Sequence, residues 1–354
     1  VGQVANLPEY GRPRRAEVCV ADQPVNAIEV RGLVKRFGDF RAVDHLDLTI
    51  RRGEFLSLLG PNGAGKSTTL RILTTLLPAT EGSVVIGGFQ VPEESDRVKP
   101  LLGLVPQEIA LYEALTPRQN LRIFGRLYGL DGAPLEQRIA DILAGVGLSE
   151  WADKPVRTFS GGMQRRVNIA AALVHEPEII FMDEPTVGVD PRSRDDIWKT
   201  LRDLKARGKT IVLTTHYMEE AEALSDRVAV VDHGKVMALG TPAELIRATG
   251  VQTVLHVAVE GDGAACLGMV QALPGVKNAR AADGRLQVYA ESGSRLLPQV
   301  IEALLNRGVE VRSVEVVTPN LGAVFLHYTG RELHAEGEPG NSNAAGAPPR
   351  GPKR

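Results

Sequence analysis

The chain is poor in cysteine. Cys19 and Cys266 lie far apart and without C-x-x-C spacing, which argues against a disulfide framework or a thiolate metal site. They read as a loose thiol and a small core residue, in keeping with a reducing cytoplasm. Long apolar runs are missing too, and none approaches the length that spans a bilayer. The opening residues carry Glu9, Arg12, Arg14 and Arg15 instead of a signal-peptide core, so a membrane role has to come through a partner. Charge of one sign is also lacking. A formal net charge of −2 argues against a whole-chain grip on nucleic acid and leaves room only for a local basic patch. A length of 354 residues allows two or three domains.

What is present centres on Gly60-Pro61-Asn62-Gly63-Ala64-Gly65-Lys66-Ser67-Thr68. An apolar run, Phe55 to Leu59, precedes it as a buried strand, and Thr69 to Leu73 follows as the start of a helix. Gly60, Gly65, Lys66 and Ser67 fit G-x-x-x-x-G-K-[ST], a phosphate-binding loop in its strand–loop–helix setting. Glycines let successive N–H groups turn inward on phosphate oxygens, and the helix adds the positive end of its dipole. Lys66 then reaches the outer phosphates, and the Ser67 hydroxyl is placed to ligate Mg²⁺. The stretch predicts binding of a nucleoside triphosphate.

Residues 1–26, broken by Pro8, Pro13 and Pro24, read as a disordered lead-in. Strands are expected at 28–30, 46–50, 55–59, 84–86, 102–105, 178–182, 210–214 and 228–231, and helices at 191–206 and 217–224. Thr116 with Gln119 and Pro117 forms a capping box ahead of two helices, 117–128 and 134–146. These interrupt the strand series and predict a helical subdomain over about 108–165 within a nucleotide-binding domain of 27–247. Alternating strands and helices predict a mostly parallel, doubly wound α/β sheet. From 248 to 333 a βαββαβ order predicts a small α+β ferredoxin-like domain without chemistry of its own. Residues 334–354 read as a disordered tail.

Ligands of open α/β sheets bind beyond the carboxyl ends of the strands. Four expected strands end in polar groups there: the phosphate loop, Gln107, Asp183-Glu184 and His216. Asp183 suits Mg²⁺, Glu184 an attacking water, His216 a γ-phosphate contact, and Gln107 Mg²⁺ or water. His45, His175, His233, His256, His327 and His334 have no such setting. Ser160 caps a helix at 163–174, and Gly161-Gly162 leave donors bare at its start, a second anion site.

The phosphate loop, Gln107, Ser160-Gly161-Gly162, Asp183-Glu184, Val187 to Asp190 and His216, in that order, resemble the nucleotide-binding subunit of an ABC transporter over residues 27–245. The resemblance implies a P-loop NTPase core with ATP and Mg²⁺ as ligands. It also implies a homodimer in which each phosphate loop faces the SGG segment of the other copy. By the same matching, Phe37 is similar to the aromatic that stacks on adenine and Asp190 to the aspartate at the dimer seam. Their plainer alternatives are a packed core aromatic and an N-cap before Pro191. The family's LSGGQ is here FSGGM, so Phe159 and Met163 depart from it while Ser160 and both glycines are retained. FSGGMQRR, EPTVGVDPRSR and the segment from Pro319-Asn320-Leu321 to Thr329-Gly330 resemble the daunorubicin/doxorubicin-resistance branch. That branch works with a separate ABC-2-type permease at the cytoplasmic face of the cell membrane. Two other functions stay open: a soluble ABC ATPase acting on ribosomes or DNA, and an importer subunit. A single phosphate loop, the lack of sustained heptads and the βαββαβ pattern weigh against both, and no nucleic-acid partner is expected.

Overall fold

The computed structural model describes residues 26–250, 253–260, 266–282, 285–290 and 293–330. The expected lead-in up to residue 25, the tail, Cys19, His334 and the Asp283-Gly284 turn lie outside them.

Strands β1 (Asn26–Phe37) and β2 (Phe40–Arg51) form a long antiparallel hairpin. β3 (Phe55–Leu59) feeds the phosphate loop and α1 (Lys66–Leu73). β4 (Glu81–Ile86) and β5 (Phe89–Val91) return to the hairpin, giving a four-stranded antiparallel sheet of order β2-β1-β4-β5. The strands expected around residues 28, 46 and 84 therefore stand apart from the parallel sheet. Each buries one face and leaves the other wet, as antiparallel sheets allow.

After α2 (Ser95–Val98) come β6 (Leu102–Val105), α3 (Pro117–Leu127), α4 (Gly132–Gly145), α5 (Gly161–Leu173) and β7 (Ile179–Asp183). α6 (Pro191–Ala206), β8 (Thr210–Thr215), α7 (Met218–Leu224), β9 (Arg227–Asp232), β10 (Lys235–Gly240) and α8 (Pro242–Ala248) complete the ATPase part. Its six-stranded sheet has the order β10-β9-β3-β8-β7-β6 and is parallel except for the β9–β10 hairpin. β3, β7 and β8 are buried at every position, the pattern of strands covered on both faces. Leu70, Ile72 and Leu73 of α1 share one apolar cluster with both sheets, which fixes the phosphate loop between them.

The Thr116–Gln119 capping box forms, each side chain bonding the other's backbone N–H. Leu121, Leu135, Ile139 and Leu143 of α3 and α4 pack with Val167, Ala170, Ala171 and Val174. The core of the inserted helices thus runs along α5 past residue 165. Ile169 and Ala172, on the same helix, pack instead with β7 and α6. α5 is apolar on several sides because it is shared by subdomain and sheet.

Beyond residue 250, β11 (Thr253–Val259), α9 (Leu267–Gln271), β12 (Val276–Ala282), β13 (Arg285–Ala290), α10 (Gly293–Leu305) and β14 (Val311–Val317) form an antiparallel sheet, order β12-β13-β11-β14, with two helices. Its core includes Leu255, Val257, Leu286, Val300 and the buried free Cys266. The chain then leaves this unit. Asn320 caps α11 (Leu321–Thr329), accepting from the Gly322 and Ala323 N–H groups, and α11 packs on the ATPase part against α7, α8 and β10. Leu321, Val324 and Phe325 are buried there with Leu59, Ala221, Val228 and Leu245. Of the stretch 248–333, expected as one domain, the described residues therefore pack in two places.

Candidate active site

β3, β8, β7 and β6 are parallel neighbours, so their carboxyl ends open on one edge. At the first end, Gly65 has φ +100°, and a Cβ there would come within 2.4 Å of the Ala42 carbonyl oxygen. Only glycine fits this turn. The loop wraps Lys66, whose Nζ donates to the Gly60 and Pro61 carbonyls at 2.8 and 3.0 Å. The same ammonium is 3.2 Å from Glu184 Oε1. Burial pushes the Lys66 ammonium down, and the fields of Glu184 and Asp183 offset only part of that.

Ser67 Oγ donates to Asp183 Oδ1 at 2.9 Å, and Thr214 Oγ1 donates to the same oxygen at 2.5 Å. Sequence reasoning did not single out Thr214, which anchors the aspartate from the neighbouring strand. Glu184 has φ +47°, left-handed for a residue with a side chain. Such a conformation costs about 1–3 kcal/mol and persists where its surroundings enforce it. Here its N–H donates to both the carbonyl and the hydroxyl of Thr214, each at 3.1 Å. Gln107 Nε2 reaches Glu184 Oε2 at 3.4 Å. His216 Nδ1 stands 3.4 Å from Glu184 Oε1 and makes no hydrogen bond although buried. Burial pushes the Glu184 carboxyl up, but the neighbouring His216 and Lys66 outweigh it and hold it below the usual glutamate value. Glu184 is therefore a carboxylate at neutral pH.

A cavity of about 430 Å³ is lined by Phe37, Phe40, Asn62, Lys66, Gln107 and Glu184, with Gly63 to Thr68 along its floor. Phe37 is 51% exposed and Phe40 64%, so neither is a packed core residue. Phe40 was missed in the sequence, where it merely follows the Gly38-Asp39 turn. The two aromatic faces lie across the hairpin tip from each other.

Ser160 caps α5 by accepting the Met163 N–H at 3.3 Å. A Cβ on Gly162 would meet Ser193 Oγ at 2.3 Å, so only glycine lets α5 start against α6. Asp190 caps α6, accepting the Ser193 N–H at 3.0 Å. Ser160, Gly161 and Asp190 are exposed, and no residue of 160–162 lines the phosphate cavity among the described residues. The segment expected as a second anion site thus has no part in the described lining of the chain's own phosphate cavity. Arg165, also missed, is buried and donates to the Pro106 and Gln107 carbonyls at 2.8 and 2.7 Å, tying α5 to the Gln107 segment.

The cavity suits a triphosphate: phosphate-loop backbone along its floor, a buried ammonium and exposed aromatic rings. The hydroxyl, amide and carboxylate oxygens of Ser67, Gln107 and Asp183 suit a hard cation such as Mg²⁺ better than a soft metal. Among the described residues no group of three His, Cys, Asp or Glu side chains could hold a metal. Fold and site together define a P-loop nucleoside triphosphatase.

The ABC transporter family profile matches residues 43–187. The chain is 38% identical to the linearmycin resistance ATP-binding protein LnrL of Bacillus subtilis (strain 168), over 86% of this chain and 99% of the relative. It is 41% identical to the daunorubicin/doxorubicin resistance ATP-binding protein DrrA of Streptomyces peucetius, over 87% and 94% of the two chains. A solved dimeric ATP-binding cassette, MJ0796 in a post-hydrolysis state with ADP and Pi, superposes with a TM-score of 0.56 at 29% identity. That match covers 60% of this chain and 98% of the cassette. The chain belongs to the ABC transporter family, as an ATP-binding and ATP-hydrolysing subunit. Among its described residues no helix is long and apolar enough to cross a membrane.

Proposed function

We propose that two copies of this chain close around two ATP molecules and drive export of a drug or other small molecule through a separate ABC-2-type permease. The chain then works at the cytoplasmic face of the membrane, held there by that partner. The observation that carries this reading is the extent of the likeness. Similarity to the linearmycin resistance protein covers 86% of the chain, whereas the cassette alone accounts for 60%. The likeness to a resistance protein therefore extends beyond the part common to ABC ATPases.

Within each site, Gly60, Pro61, Asn62, Gly63, Ala64, Gly65 and Thr68 cradle the phosphates, Lys66 holds the outer ones, and Phe37 stacks on adenine. Ser67, Asp183 and Gln107 would hold Mg²⁺, which neutralises charge developing on the transferred phosphate. Glu184, already ionised, takes the proton of the attacking water, and His216 holds the γ-phosphate beside it. Ser160, Gly161 and Gly162 serve the ATP of the partner copy, with Asp190 at the seam. The exposure of Ser160, Gly161 and Asp190, and the absence of residues 160–162 from the described lining of the chain's own cavity, support that assignment.

The test is co-expression with a candidate ABC-2-type permease, a multispanning protein sought among the neighbouring reading frames. The chain should fractionate with membranes only when that protein is present. Host tolerance to at least one compound of a drug panel should rise, and Lys66→Ala should abolish the gain. Fractionation with ribosomes or nucleic acid whether or not the permease is present would overturn the export reading.

A further inference from the structure

Four residues beyond His216, the Glu220 side chain of α7 is 0% exposed. No ion pair reaches it among the described residues. Its Oε1 accepts two hydrogen bonds, from Thr186 Oγ1 at 2.9 Å and from Trp198 Nε1 at 3.1 Å, while Oε2 is buried without a hydrogen-bond partner. Those contacts join three separate pieces of the catalytic edge. Thr186 is itself buried, two residues after Glu184, in the turn that runs to Asp190. Trp198 is on α6, whose first turn Asp190 caps. Glu220 belongs to the helix directly behind His216. One oxygen atom thus ties together the turn bearing the base, the helix that starts at the seam and the helix that follows the histidine.

A carboxyl is a costly way to fill that space, since an apolar side chain would avoid its desolvation. It would also leave the buried Thr186 hydroxyl and the part-buried Trp198 N–H without their acceptor. What the site requires is an acceptor of fixed reach, not a charge.

We propose that Glu220 is a positioning residue for ATP hydrolysis, fixing Glu184 relative to His216 by holding Thr186 and Trp198 from α7. This rests on the roles proposed above for Glu184 and His216. If the Thr186 turn slips, the base moves relative to the phosphate contact, while the phosphate loop, on another strand, keeps its grip on ATP. Glu220→Ala should therefore act on turnover and spare binding.

The experiment measures steady-state ATPase kinetics on the full chain for Glu220→Ala, Glu220→Gln, Thr186→Val and the double variant Glu220→Ala/Thr186→Val. Glu220→Ala removes both bonds and should lower kcat about tenfold, the rate equivalent of the lost Thr186 bond that holds the turn of the base, with KM for ATP nearly unchanged. Glu220→Gln keeps a neutral acceptor of the same length and should restore most of kcat. Thr186→Val breaks the bond from the other side and should reproduce the defect, and the double variant should be little worse than either single one. Because Thr186→Val keeps the side-chain shape and opens no cavity, it supplies the answer should Glu220→Ala fail to fold. Wild-type kcat in Thr186→Val, a loss confined to KM, or a Gln variant as slow as Ala would each overturn the proposal. Wild-type turnover in Glu184→Gln would instead overturn the active-site reading beneath it, which keeps the two failures apart.

Discussion

Lys66 Nζ lies 3.2 Å from Glu184 Oε1, and the two side chains are only 4% and 6% exposed. The lysine meant for phosphate and the glutamate meant for water share one dry pair. In the proposed mechanism a triphosphate entering the loop competes with Glu184 for the same ammonium, so the proposed base would also restrain nucleotide binding.

Glu184→Gln should therefore separate binding from chemistry. It removes the competing charge while keeping shape, so the Kd for ATP should hold or tighten. Turnover should drop by roughly 10²–10⁴, the usual contribution of a general base. Size-exclusion chromatography with MgATP should show a shift from monomer to dimer. Lys66→Ala, lacking the phosphate contact, should show neither binding nor the shift. Wild-type phosphate release by the Gln variant would rule Glu184 out as the base.

The trans arrangement predicts a different pattern for Ser160. This exposed residue caps α5 through the Met163 N–H, a contribution of about 1 kcal/mol. Ser160→Arg should leave ATP binding to the single chain intact, lower Tm only slightly, and block ATP-induced dimerisation by its bulk. Mixed with Lys66→Ala protein, it should give at most one working composite site per heterodimer. Normal hydrolysis by monomeric Ser160→Arg protein would contradict a site shared between copies.

The phosphate loop and the strand-end residues were legible in the sequence because their chemistry demands fixed residue types at fixed spacings. Where tertiary structure overrides local pattern, legibility ended. β1 was read only at residues 28–30 because register shifts around Leu33 and Lys35 break its alternation against β2. Arg165 and Glu220 carry charged side chains, and the default places those in solvent; only their partners' geometry explains their burial. The nine residues of α11 hold no marker of where they dock, since Leu59 and Val228, their neighbours, are far away in sequence.

That docking is testable. Phe325 is fully buried against the ATPase part, and Phe325→Ala should cost about 3–5 kcal/mol. The melting temperature of the ATPase part should drop on the order of 10 °C. Truncation after residue 250 should be at least as harmful, although it leaves every strand of the ATPase sheets in place. A truncated chain melting like the full one would show that α11 adds nothing to the fold it touches.

Glu220 gives stability a pH dependence. Burial pushes its carboxyl up, against the opposing pull of the Thr215, Thr186 and Trp198 side chains and of the Arg194 charge on α6. The folded chain therefore holds a proton that the unfolded chain releases above the ordinary glutamate value. Since the native state binds more protons, stability falls as pH rises through that window. Glu220→Gln has no proton to lose, so its Tm advantage over the wild type should widen from pH 5 to pH 8. A constant difference across that range would mean that the carboxyl is ionised in the fold.

The Gln107 carbonyl is held by Arg165 at 2.7 Å, so the segment that senses the site is tied to α5. A few residues on, buried Asn120 of α3 bonds the Tyr112 N–H through Oδ1 at 2.8 Å and the Tyr112 carbonyl through Nδ2 at 3.1 Å. The segment 107–113 is thus fastened at one end to α5 and at the other to α3, and a shift of Gln107 carries the subdomain with it. Tyr112 itself is 56% exposed, and its ring takes no part in either backbone bond. Tyr112→Ala and Glu113→Lys should leave the ATPase rate of the isolated chain within about twofold, as surface changes normally do. Drug tolerance and membrane association in cells co-expressing the permease should both fall. A Cys placed at residue 112 should crosslink to permease cysteines facing the cytoplasm. Full tolerance with both variants, and no crosslink from residue 112, would place the permease contact elsewhere on the chain.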